Sequence, residues 1–310
     1  MGLGILVTAG EFYFDLIFYG LPALPNLGEE LNTNNFALEL GGGAVTTALT
    51  AAKLARRVDL VSVLGDSALD AFAIAELGRR GVGTKLVKRQ GGKMGGITVA
   101  VSVRRDRYFL TYPGANALVE SHLLSPSVRK QLRRARHVHL GLSPRRWDAF
   151  ARLVAWLRRW DVTTSWDLGW HPEAARLPGF HRLCTLIDVV FFNRDEALRY
   201  SGAGSPDAAL ARLAHPGQCV VIKLGAGGAI AIGPDGTRGR VRGIKVRATE
   251  TTGAGDAFNG GFLHAWLDGA DLDDCLRAGN ICGALSTTAP GGSAGTPRRA
   301  ELARLLRRSQ

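Results

Sequence analysis

The 310-residue chain predicts an α/β fold, a mostly parallel sheet with helices on both faces, and three observations carry that expectation. From residue 120 onward, short apolar runs ("HVHLGL", "VTTSWDL", "IDVVFFN", "CVVIKLG", "GAIAIG") alternate with longer segments of helical periodicity. Those segments are "RWDAFARLVAWLRRW", "RDEALRYSG", "PDAALARLA", "GDAFNGGFLHAWLDG" and "DDCLRAGNICGALSTTA". Strands alternating with helices imply a parallel sheet, because parallel neighbours need crossover connections. The opening run "GILVTAG" is apolar and ends in glycine, which suggests a buried strand of that sheet. The third observation is an interruption of the rhythm near the N-terminus.

That interruption is "EFYFDLIFYGLPALPNLGEELNTNNFALELGGG", rich in aromatics, prolines and turn residues, with alternation in "FALEL". It predicts an edge hairpin or small accessory sheet. "AVTTALTAAKLARR" follows as a helix, "VDLVSVLG" as a strand and "DSALDAFAIAELGRRG" as a helix. "ITVAVSVRRDRYFLTYPG" then reads as a β-hairpin able to pair with the earlier accessory strands. The expected organisation is a main α/β domain over 1–10, 41–92 and 114–310, with a discontinuous β-lid over 11–40 and 93–113. In such sheets the carboxyl ends of the strands line the ligand crevice.

Composition narrows the function classes. The net charge of +12 invites a nucleic-acid reading, but the arginines are spread along helical segments such as "VRKQLRRARH" and "RRAELARLLRRSQ". No recognition helix, zinc-finger spacing or RNP-like pattern accompanies them, so solvated basic faces are expected and no nucleic-acid partner. Such a rim can still attract an anionic substrate. Cys184, Cys219, Cys275 and Cys282 lack C-x-x-C pairing and metal-ligand spacing. Cys275 and Cys282, seven apart, are expected as small apolar residues on one helix face. No signal peptide opens the chain and no apolar run approaches the ~20 residues of a membrane span, so a cytoplasmic protein with no membrane partner is expected.

Several catalytic motifs are missing. "GGKMGG" has neither the spacing nor the hydroxyl residue of a Walker A loop, and no G-x-S-x-G or H-E-x-x-H occurs. What stands out is "TTGAGDAFNGGF", a Gly-rich turn feeding a helix. Its N–H groups, from residues 253–256, aim at one point and can stabilise charge on a transferring phosphoryl group. Asp256 would orient and deprotonate an attacking hydroxyl, kept ionised by the helix N-terminus. It can equally be a plain helix cap.

"TTGAGDAFNGGF" resembles the C-terminal signature of the PfkB/ribokinase-like carbohydrate kinases, commonly D-T-x-G-A-G-D. "GGGAVTTALTAAKLA" resembles their N-terminal Gly-Gly signature, and "GEFYFDLIFYGLPALPNLGEEL" their opening strand and lid. The likeness runs over nearly the whole chain in family order. It implies a ribokinase-like three-layer sandwich with a β-lid, and an ATP-dependent kinase that phosphorylates a sugar or, alternatively, a nucleoside. Asp256 would be the base, with Gly253, Ala254 and Gly255 as the anion hole. Asp15 and the Gly42–Gly43 turn would hold substrate hydroxyls. Asp15 can also be a surface carboxylate on an edge strand, although a lone charge among Phe12, Phe14, Leu16 and Ile17 is expensive unless used. The glycines, likewise, can be a permissive turn before a helix.

The resemblance further implies that Asn193 and Glu196, an N-x-x-E pair, organise Mg²⁺ and its waters, though Asn193 is as good a helix cap. Lys223, Gly225 and Gly228 in "KLGAGGAI" fall in the nucleotide loop, with Lys223 either pairing a phosphate or pointing to solvent. Asn280 and Gly291 would flank the adenine pocket. Glu250 stands where an aspartate usually lies beside a monovalent-cation (K⁺) site. Thr46, which replaces the asparagine of the N-terminal signature, and Asp167, which keeps its strand-end place without a following asparagine, would also contact the acceptor substrate. Trp166 and Trp170 are either core or stacking platforms. Thr46 and Glu250 also leave room for a kinase-like sensor that binds but turns over poorly. By family analogy the lid strands suggest a homodimer.

Overall fold

A computed structural model describes residues 4–103, 106–169, 171 and 173–308. Trp170, and Arg104 and Arg105 of the expected hairpin, lie outside the described residues. The central sheet runs in the order Arg238–Val241, Ala229–Ile232, Cys219–Lys223, Val189–Asn193, Thr163–Asp167, His137–Gly141, Leu6–Gly10, Val58–Leu64, Val82–Gly83; Val87–Arg89 also pairs with Val58–Leu64. Pairing is parallel except where Ala229–Ile232 joins its two neighbours. The alternating pattern in the sequence therefore yields the expected sheet, helices cover both of its faces, and the fold is ribokinase-like. Arg238–Val241 is a strand the sequence reading lacked, because its basic pattern carries no apolar signal.

The two faces separate by residue parity. In Val189–Asn193, Val190 and Phe192 join one core with Trp166, Leu153 and Phe180, while Val189 and Phe191 join another with Phe258, Phe262 and Leu276. Trp166 is fully buried and packs on Trp147 and Phe180, so it is core. Cys275 and Cys282 are buried in the second core, as the seven-residue spacing predicts, and burial pushes both thiols up to about 12. All four cysteines are buried and unpaired.

Strand order reverses between Leu6–Gly10 and His137–Gly141, which puts a crevice at their carboxyl ends. There the helix Gly43–Lys53 packs closely on Gly10 and Gly141. A methyl group on Gly10 would come within 2.4 Å of Gly141 O, and one on Gly141 within 2.7 Å of Ala44 N. This close approach pulls the Gly42–Gly43 turn to the strand ends.

A separate four-stranded sheet is built from Phe36–Gly41, Tyr13–Leu21, Gly96–Val103 and Asp106–Tyr112 in that spatial order. Two side chains fix its roots. Asn116 brackets Phe12, accepting from its N–H (2.9 Å) and donating to its carbonyl (2.7 Å). Asp70, fully buried, accepts from the N–H groups of Gly65 and Gly95 at 3.0 Å each, and caps its own helix with Ser67. No helix among the described residues is long and apolar enough to cross a membrane.

The arginine-rich helical faces are occupied by local partners. Arg129 and Arg133 lie over the rings of Trp156 and Trp160, and Arg146 and Arg182 pair with Glu120 and Asp148.

Candidate active site

The helix Ala254–Leu267 begins directly after Gly253, whose φ of 74° is left-handed and natural only for glycine. Four backbone N–H groups at such a start lack helical partners. Asp256 N–H bonds Gly253 O at 3.0 Å, and Ala254 N–H makes a long 3.4 Å bond to Thr251 O. The N–H groups of Gly253 and Gly255 have no such internal partner, so the turn keeps donors at the positive end of a 14-residue helix. Of the run 253–256 expected to form an anion hole, Ala254 and Asp256 spend their N–H groups inside the turn. Thr47 steadies it by donating from Oγ1 to Asp256 O at 3.1 Å.

Asp256 faces the Gly42–Gly43 turn. A methyl group on Gly43 would come within 3.0 Å of Asp256 Oδ1, so the carboxyl fills the space a side chain there would take. Burial, together with the negative charge of Asp167, lifts the Asp256 carboxyl to about 7. The helix N-terminus is expected to keep it ionised, and burial works against that. A group poised near neutrality is what a general base requires.

Asp15 reaches the same place from the small sheet. Its carboxyl lies over Gly41, where an added methyl would meet Oδ2 at 1.9 Å. Burial first, then Glu250, Asp256 and Glu39, raises it to about 7. Thr46 is buried and touches the positions any side chains on Gly253 and Gly292 would occupy, at 3.3 and 2.9 Å, so it packs against the Gly253 turn.

Asp167 and Lys223, expected to meet acceptor and phosphate, are joined to each other. Lys223 Nζ donates to Asp167 Oδ2 at 2.6 Å, and Asn259 Nδ2 donates to the same oxygen at 2.7 Å. Burial opposes ionisation of Asp167, but the Lys223 charge and these two bonds hold its carboxyl below the ordinary value. Lys223 is therefore neither solvent-directed nor free; it also lies 3.4 Å from Gly255 O. Asn259, on the helix face one turn beyond Asp256, was invisible as a site residue in the sequence.

Asn193 and Glu196 form a reciprocal capping box: Asn193 Oδ1 accepts from Glu196 N–H (2.9 Å) and Glu196 Oε2 from Asn193 N–H (2.8 Å). The cap reading is thus realised, yet the Glu196 carboxyl is buried, and burial with Asp167 raises it to about 7. Among the described residues no group of three or more His, Cys, Asp or Glu is arranged to hold a metal. One carboxylate suits Mg²⁺, which keeps most of its waters and takes phosphate oxygens.

In the loop expected to meet the nucleotide, Gly225 has a φ of 58° and nothing within 4 Å of where an added methyl would stand, leaving open backbone. Gly228 is held against Val241 O, which an added methyl would approach to 2.0 Å. Asn280 donates from Nδ2 to Arg242 O at 3.3 Å and so pins the same segment. Gly291 lies against the small sheet: an added methyl would meet Glu39 Cγ at 2.3 Å. Glu250 is buried; its Oε1 accepts from Thr252 N–H (2.7 Å) and hydroxyl (2.5 Å), while Oε2 is buried without a hydrogen-bond partner.

Residues 6–299 match the model of the pfkB family carbohydrate kinases. The chain is 26% identical to a ribokinase of Haemophilus influenzae, over 97% of this chain and 98% of that one. It is 28% identical to a 2-dehydro-3-deoxygluconokinase of Bacillus subtilis, over 88% of each. An Arabidopsis thaliana ribokinase solved with ribose and ATP superposes with a TM-score of 0.82 at 24% identity, covering 99% of both chains. With a family match that spans nearly its whole length, the chain belongs to the pfkB family of carbohydrate kinases.

Proposed function

We propose that the chain transfers the terminal phosphoryl group of ATP to a hydroxymethyl oxygen of a sugar or sugar derivative, with Asp256 as base. The observation that carries this reading is the Asp256 carboxyl, poised near neutrality between the Gly43 backbone and the unspent N–H groups of Gly253 and Gly255. A hydroxyl seated there gives its proton to an Asp256 carboxylate oxygen as its own oxygen bonds the terminal phosphorus. The bond from that phosphorus to the bridging oxygen breaks, and its electron pair leaves with ADP. The two N–H groups meet the charge carried by the moving phosphoryl oxygens. Asn193 and Glu196 would order Mg²⁺ through its waters, and the ion, when bound, neutralises phosphate charge. Lys223, Gly225, Gly228 and Asn280 line the nucleotide side of the cleft.

The buried, unpartnered Oε2 of Glu250 supports a monovalent cation such as K⁺ at that turn, since a buried carboxylate oxygen without a partner is costly. The small sheet acts as a lid over the acceptor, excluding water that would otherwise take the phosphoryl group. Its outer face presents Phe36, Leu38, Tyr108, Leu110 and Tyr112, all more than 40% exposed. An uncovered apolar sheet face supports a homodimer through the lids. Sedimentation should show a dimer that Leu110→Asp converts to monomer; a wild-type monomer at micromolar concentration sinks that part of the reading.

A coupled ADP-release assay over neutral sugars and nucleosides tests the activity. At least one acceptor should raise ADP production well above that of ATP alone. If none does while ligands still shift the melting temperature, the chain is a binder without turnover.

A further inference from the structure

The lid register places four side chains in one row across one face. Asp15 pairs with Glu39 on one side and with Thr98 on the other, and Thr98 pairs with Thr111. Directly opposed residues in a sheet share a face, so Glu39, Asp15, Thr98 and Thr111 form a continuous polar strip. The two threonine hydroxyls lie 3.4 Å apart. The neighbouring rows, Leu38–Leu16–Val99–Leu110, occupy the opposite face. The polar strip faces the reaction centre, since Asp15 feels the charges of Asp256 and Glu250, and Glu39 presses on Gly291.

The strip is negative and offers no free positive charge. The charged groups acting on Asp15 are Glu250, Asp256 and Glu39, all acidic. Two described cations near it are engaged: Arg80 bonds Glu39 Oε2 (3.0 Å) and Glu76 Oε1 (2.6 Å), and Lys223 bonds Asp167. Arg80 fixes one oxygen of Glu39, while no described partner holds Oε1. Even with a cation beside Glu250, Asp15 and Glu39 stay adjacent. Carboxylates and hydroxyls suit the O–H groups of a polyol, and like charge brought beside two carboxylates is repelled.

We infer that the acceptor is an uncharged polyhydroxy compound, and that Glu39 is a specificity-determining residue by which the lid refuses sugar acids and sugar phosphates. This rests on the kinase reading above and narrows it. It separates the acceptors named for the two relatives above, ribose and 2-dehydro-3-deoxygluconate.

The test is a steady-state comparison of D-ribose and other neutral sugars with 2-dehydro-3-deoxygluconate and ribose 5-phosphate. For the wild-type protein, kcat/KM for the best neutral acceptor should exceed that for either anionic compound by about tenfold or more. Glu39→Gln should raise KM for the neutral acceptor about three- to tenfold while lowering KM for the anionic ones. That opposite sign distinguishes specificity from a mere structural tie through Arg80, which would move both classes the same way. Preference of the wild type for an anionic acceptor, or a same-direction shift in the variant, overturns the inference. The wild-type comparison stands alone if Glu39→Gln does not fold. If neither class is phosphorylated the kinase reading falls, and calorimetric binding of the same compounds decides the charge preference, with tighter anionic binding refuting it.

Discussion

Asp256→Asn should lower kcat by about a thousandfold, within the range that general-base contributions span, while the dissociation constant for ATP moves by less than about threefold. The amide keeps the shape of the carboxyl but cannot take a proton. In the wild type the base form exists only above the pKa, which burial and Asp167 lift from 3.8 to about 7. Activity should therefore rise about tenfold per pH unit up to about 7 and level off above it. The same shift makes a stability statement. A carboxyl whose folded pKa is raised stabilises the fold fully below its unfolded value near 4, and that contribution is lost as pH rises through 7. At pH 8 the wild type thus carries a buried charge that Asp256→Asn removes. The variant should be more stable there by about 1–3 kcal/mol, with the advantage gone near pH 4. Urea denaturation at the two pH values measures this. An inactive variant that is less stable at pH 8 would show that Asp256 holds the fold together rather than straining it for chemistry.

What the sequence showed and what it hid divide along the range of the interactions. The strand–helix alternation and the glycines before Asp256 are local patterns, so the sheet, its covering helices and the Gly-rich turn before Asp256 were legible. Arg238–Val241 was not, because an edge strand with alternating arginine and glycine has no apolar run to announce it. The same limit applies to charge. That Asp256 lies in the first turn of a helix is visible in the twelve residues 251–262, but its burial beside Gly43 depends on a helix some two hundred residues earlier. Glu39 became interesting only through its register with Asp15 and its contact with Gly291, neither of which has a local signature. Lys223 and Asp167 were both identified, each with a ligand as its expected partner. Their strand ends are separated by Val189–Asn193 in the sheet, and only the fold brings the two side chains together.

That pair is the largest electrostatic commitment near the site, so removing one half should be costly. Lys223→Met leaves Asp167 buried with one hydrogen bond, from Asn259, and another from Gly169 N–H at 3.2 Å, but no countercharge. Loss of one partner of a buried ion pair destabilises by about 3–5 kcal/mol, mostly as the cost of the stranded charge. The sign with pH follows from the two shifts. Asp167 is held below its ordinary value and stabilises the fold above it; Lys223 is held above its own, despite burial, and stabilises the fold below it. The wild-type pair is thus effective from roughly pH 4 to 10. In Lys223→Met the Asp167 carboxyl takes up a proton as the medium is acidified, so the loss should be large at pH 8 and shrink toward pH 5. Lys223 also pulls the pKa of Asp256 down, so the acid limb of the rate profile should move to higher pH in the variant. The double change Asp167→Leu with Lys223→Met removes both charges and should recover most of the stability. If instead the single variant matches the wild type at pH 8, the ion pair contributes little to the fold, and Lys223 is held in reserve for a phosphate.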